Sequence, residues 1–234
     1  MLSLSIPDFG ALAFFVLAWL SYSRLVALGR GGRRSLNLMM DEYRERWMLE
    51  MARRENRIVD SGIMGSLQSG TAFFTSTSLL AFGGAATLLR GVDDAVKVVS
   101  ELSNGQGPQR GLFELKILGL LIIFGYAFFK FAWAYRLFNF TAILIGATPG
   151  RASPDTEERD RIARRAAAMA SVASSNFSRG QRAFFFALAY FGWFVSPWAF
   201  IAMTALVVCL MWGRQFASPA RRALMDVGGD PRNP

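Results

Sequence analysis

Thr71, Thr75 and Ser78 follow one another at four- and three-residue spacing, which on a helix sets three hydroxyls along one face. They lie in a stretch, Ser61 to Leu89, that carries no charged residue. Hydroxyls placed this way can line a path for an ion or a small polar solute. They can equally bond back to the carbonyl four residues earlier while the helix packs against its neighbours. Lys130 is the second candidate, an ammonium with apolar residues on both sides and Arg136 six positions on. A buried charge in a membrane is a functional candidate. The same two residues can also snorkel to the interface among Phe131, Trp133 and Tyr135. Arg57 and Asp60 stand one turn apart at the edge of an apolar run, where pairing or capping is the simplest role. Asp8 sits at a similar edge.

Other chemistries have no residues to carry them. The chain has no histidine and a single cysteine, Cys209, so His-based catalysis, a zinc cluster and an internal disulfide are excluded. Gly31-Gly32 and Gly83-Gly84 lack the spacing of a phosphate cradle, and there is no serine nucleophile elbow. No catalytic residue, cofactor site or metal site is expected.

The elements that hold these residues follow from the apolar pattern. Of 234 residues, 53% are apolar and 18% charged, below the roughly 25% charge of soluble domains. The apolar residues collect in four runs, and about 20 apolar residues span a bilayer core of about 30 Å. Spans are expected over residues 7–28, 62–89, 112–136 and 183–213. Ser196-Pro197 in the last run predicts a kinked helix, with a re-entrant pair of half-helices as the alternative. The second run is rich in Ser, Thr and Gly, which suits close helix packing and predicts the innermost span of the bundle.

Two long charged segments read as amphipathic helices, over 35–60 and 154–176. In the first, Leu36, Met40, Tyr43, Trp47, Met51 and Ile58 form an apolar stripe, with Glu42–Arg46 and Glu50–Arg54 as i,i+4 pairs. In the second, Ser153 reads as the N-cap and Pro154 as the first helical residue. Residues 1–213 form a single membrane domain, and 214–234 a loose tail.

The net charge is +9, and eighteen of the 26 Lys and Arg residues fall in the two long segments and their flanks. The positive-inside rule assigns those segments to the cytoplasm and the N-terminus to the outside. Arg214, Arg221 and Arg222 dissent, because a cytoplasmic tail requires an odd number of crossings. No basic and aromatic platform for nucleic acid is visible.

Three segments carry a resemblance: Arg57-Ile58-Val59-Asp60, the run FFTSTSLLAFGG from Phe73 to Gly84, and NFSRGQRAFFFALAYFGWF from Asn176 to Phe194. Together they resemble the membrane family known only as domain of unknown function 599, over about Pro7 to Gly213. The resemblance implies a four-span membrane architecture and no particular activity.

The expected fold is thus all-α, a polytopic membrane bundle of four transmembrane helices and two cytoplasmic amphipathic helices. The expected setting is the bacterial inner membrane, with the lipid bilayer and further subunits as partners. The expected function is non-enzymatic and oligomeric, a channel or carrier lined by the second span. The alternative is an accessory or assembly subunit of a larger membrane complex.

Overall fold

The computed structural model describes residues 5–28, 36–102, 109–151, 153–216, 218–219 and 223–224. These fold as α1 (Ile6–Leu28), α2 (Leu36–Arg53), α3 (Ile58–Arg90), α4 (Val92–Leu102), α5 (Arg110–Ala147), α6 (Thr156–Tyr190), α7 (Gly192–Val195) and α8 (Pro197–Phe216). No strand occurs among the described residues. Four helices are long and apolar enough to cross a bilayer: α1, α3, α5 and α8. The fold is an all-α helical bundle of the membrane type.

The chain divides into two units. The first gathers α1 up to Ser23, α3 from Phe74, α4, α5 up to Lys130, α6 from Arg179, α7, and α8 up to Val208. The second gathers the end of α1 from Arg24, α2, α3 up to Phe73, α5 from Phe131, α6 up to Ser178, and α8 from Cys209. So α1, α3, α5, α6 and α8 each begin in one unit and end in the other.

The core of the first unit is aromatic. Phe15 packs edge-on against Phe186 and Tyr190 and lies 5.0 Å from the Phe200 ring. Trp193 stacks on Phe200 at 5.5 Å. Gly192 touches the far side of the break: a Cβ there would stand 2.9 Å from both the Ala199 carbonyl oxygen and Met203 Sδ. Residues eleven apart on one helix would be about 16 Å apart. The chain therefore doubles back between α7 and α8, and the single kinked helix expected over 183–213 is instead the end of α6, α7 and α8, with α7 packed on α8.

Ser196 and Pro197 explain the reversal. Ser196 is fully extended (φ −164°, ψ 159°), as the residue before a proline prefers. Its hydroxyl accepts the Ala199 N–H at 3.0 Å, an N-cap, and Pro197 opens α8. The pair is a helix start rather than a kink.

The core of the second unit is built from methionines and alanines. Met48, Met51 and Ala52 of α2 and Met64 of α3 pack with Leu137, Phe138 and Ile145 of α5. Ala163, Ala166, Ala167, Ala170 and Ala173 of α6 complete it. Polar bonds fix the helix registers: Gln68 to Asn139 at 2.7 Å, Arg44 to Ser174 at 2.7 Å, and Asn37 to Ser178 at 3.3 Å. The buried face of α2 is rotated from the expected stripe, since Met40 and Tyr43 are exposed while Met48 and Ala52 are buried.

Element ends differ in four places. α2 stops at Arg53, because Asn56 accepts the Ile58 N–H at 2.9 Å and opens α3 there. α6 is capped by Asp155, which accepts the Glu158 N–H at 2.8 Å, rather than by Ser153. It then runs unbroken to Tyr190 instead of ending near 176. The segment before α5, expected as a loop, holds α4. Ser35, the expected start of the first amphipathic helix, lies outside the described residues, as do tail residues 217, 220–222 and 225–234.

Candidate functional site

The hydroxyls of α3 sort onto two faces. Thr71 and Ser78 are buried, and each donates back to its own helix, to Leu67 O and Phe74 O at 2.7 Å. Thr75 is half-buried. These bonds are the packing alternative, because they satisfy the hydroxyl without a solute. The opposite face carries Ser66, Ser69, Ser76 and Thr87, all exposed.

α3 is also the least enclosed of the four apolar helices. Only 11% of its apolar stretch is buried, against 22%, 33% and 28% for α1, α5 and α8. The expectation of an innermost span fails within one chain. Its glycines explain why: a Cβ at Gly62, Gly65, Gly70, Gly83 or Gly84 would meet nothing within 4 Å. Small residues invite a close neighbour, and the described residues do not supply one there.

Arg57 and Asp60 do not pair with each other. The Arg57 guanidinium donates to three carbonyls at the end of α5, Ile145 at 3.0 Å, Thr148 at 2.7 Å and Pro149 at 2.8 Å. Carbonyls at a helix end lack intrahelical partners and carry the negative end of the dipole, so a guanidinium fits there. Asp60 is fully buried. Its Oδ1 accepts the Trp47 indole N–H at 2.7 Å and an Arg54 N–H at 3.0 Å. Arg54 thus reaches Asp60 instead of the expected Glu50, which pairs with Arg53 at 3.0 Å.

Lys130 and Arg136 each sit over aromatic rings. Lys130 Nζ lies 5.5 Å from the Tyr126 ring, and the Arg136 guanidinium lies 5.8 Å from Trp133 and 5.4 Å from Phe140. Arg136 and Trp133 are exposed. This is the geometry of cations anchored by interfacial aromatics.

One cluster had no local sequence signal. Asp8, Lys116 and Trp193 are all buried, at 5%, 7% and 1% exposure. Trp193 donates its indole N–H to Asp8 at 2.8 Å, and its carbonyl accepts from Lys116 Nζ at 2.6 Å. The three hold the chain reversal of the first unit to α1 and α5. Among the described residues, no group of three or more His, Cys, Asp or Glu is placed to hold a metal.

No curated protein and no solved structure matches the chain. The family described as "Protein of unknown function, DUF599" matches residues 10–220, nearly the whole folded region. The chain belongs to that family.

Proposed function

We propose that this chain is a non-enzymatic, oligomeric channel or carrier whose path is lined by the Ser-bearing outer face of α3. The observation that carries this reading is the exposure of Ser66, Ser69 and Ser76 on a helix apolar enough to cross the bilayer. Lipid tails offer a hydroxyl no partner, whereas water, solute or a second helix does. The buried Thr71 and Ser78 hydroxyls are occupied by their own backbone, which shifts the lining from the expected face to this one.

The orientation we propose is a bacterial inner-membrane protein with the N-terminus outside. The basic tail supports a C-terminus on the side of the two basic segments. That arrangement reconciles the tail arginines with the positive-inside rule. It leaves Arg90, Lys97, Arg110 and Lys116 as the basic residues of the other side. An odd number of crossings follows, with α6 as the fifth beside the four apolar helices.

Reconstitution into liposomes tests the function. Influx of potassium, chloride or glycerol that falls in the Ser69→Leu, Ser76→Leu double variant supports it. Impermeability to all three, with stoichiometric co-purification of other membrane chains, would replace it with the accessory-subunit reading.

A further inference from the structure

Arg179 and Arg182 stand one turn apart on α6, and both are half-buried. Among the described residues neither makes a hydrogen bond or an ion pair. The ionisable groups close enough to act on the Arg182 charge are two phenols, Tyr22 of α1 and Tyr126 of α5, and Arg179 itself. A third cation shares that corner, because Lys130 Nζ lies over the ring of the same Tyr126. Trp19 closes it toward the core, stacked on Phe186 at 5.0 Å and edge-on to Tyr126 at 6.0 Å. All of these residues belong to the first unit.

The first unit offers this corner no negative charge. Its five carboxylates are Asp8, Asp93, Asp94, Glu101 and Glu114. Asp8 precedes Tyr22 by fourteen residues of α1, about 21 Å, and Glu114 precedes Tyr126 by twelve residues of α5, about 18 Å. The other three lie in α4, which Asp93 ties to Arg110 at the start of α5 by a 2.8 Å ion pair. Helix carbonyls do not stand in either. Arg57 finds three of them at the end of α5, whereas Arg182 lies eight residues before the end of α6, where the carbonyls are bonded within the helix.

We propose that Arg179, Arg182 and Lys130 hold a phosphate-type oxyanion beside Tyr126. Charge complementarity selects an anion. A guanidinium half out of water with no acceptor is costly, and an anion supplies both the opposite charge and the acceptors. The planar fork of arginine matches two oxygens of a phosphate at once, and two forks one turn apart can share one tetrahedral group. Trp19 and Tyr126 are residues of the kind that marks the membrane–water interface, the depth at which lipid phosphates lie. Basic pockets between membrane helices take anionic head groups there. Two sources carry this chemistry, the headgroup of an anionic lipid and free phosphate. The proposal goes beyond the path along α3 and does not depend on it.

Melting of the full chain, purified in a phosphate-free maltoside detergent and stripped of lipid, tests this. Phosphatidylglycerol and inorganic phosphate are added separately, with phosphatidylcholine and chloride at equal ionic strength as their controls. A rise of several degrees over the control is expected for at least one of the two. The rise should vanish in the Arg179→Gln, Arg182→Gln double variant, which a general effect of lipid or salt would leave unchanged. A rise with phosphatidylglycerol alone assigns the site to a lipid headgroup, and one with inorganic phosphate alone assigns it to a free anion. If the double variant does not fold, Arg179→Lys with Arg182→Lys keeps both charges and removes only the forks. Several-fold weaker binding, read as phosphatidylglycerol or phosphate retained in native mass spectrometry, is then expected. No rise in the parent with either anion, or equal binding by the parent and the arginine variants, would overturn the site.

Discussion

Trp193 donates its indole N–H to Asp8 across 185 positions of chain, and the same residue's carbonyl takes the Lys116 ammonium. One tryptophan therefore satisfies a buried carboxylate and a buried amine at the place where the chain turns back. A buried carboxylate without that donor is left with Ser5, whose N–H and hydroxyl both bond Asp8 Oδ2.

Trp193→Phe keeps the ring stack on Phe200 and removes the donor. It is expected to destabilise the protein by about 1–3 kcal/mol, the penalty for an unsatisfied buried acceptor. Thermal unfolding in nanodiscs reads this directly.

Gly192→Ala places a methyl 2.9 Å from the Ala199 oxygen and Met203 Sδ. The reversal must open to admit it, at a cost of about 1–3 kcal/mol. Gly10→Ala, where a Cβ meets nothing within 4 Å, is the matched control and should be mild. Equal melting temperatures for the two variants would contradict the hairpin.

Arg57→Lys is not conservative here. A lysine offers a point charge and cannot bridge three carbonyls as the guanidinium fork does. Each charge-assisted bond lost is expected to cost about 1.5–3 kcal/mol. Hydrogen exchange over α5 from Ile145 to the turn at Pro149 should quicken, while exchange over α2 stays unchanged.

A cytoplasmic tail is checked with single cysteines at Ser153 and Ser218 in the Cys209→Ser background. An impermeant thiol reagent added outside intact cells should leave both unlabelled and should label both after lysis. External labelling at Ser218 alone would return the count of crossings to four.

The sequence made the long helices legible because apolar runs of bilayer length admit few other forms. α1 and α3 begin and end close to where the runs do. Ser196-Pro197 misled because a proline inside an apolar run reads as a kink, while the same two residues in the order cap and first turn begin a helix. The direction of α3 was not legible from composition. Its small residues lie on both faces, and only the packing of Met64, Thr71 and Ser78 inward leaves Ser66, Ser69 and Ser76 outward. The Asp8–Trp193–Lys116 cluster joins residues with no local pattern between them. Asp60 was legible as an edge carboxylate, but its partners Trp47 and Arg54 come from α2 and the turn that follows it.

The central claim is that the serine-bearing outer face of α3 bounds a path for solute in an oligomer of the chain. A single-particle structure of the protein in nanodiscs tests it most directly. An oligomer in which Ser66, Ser69 and Ser76 face a water-filled path is expected. An oligomer, or a lone chain, in which these serines face lipid would contradict the claim.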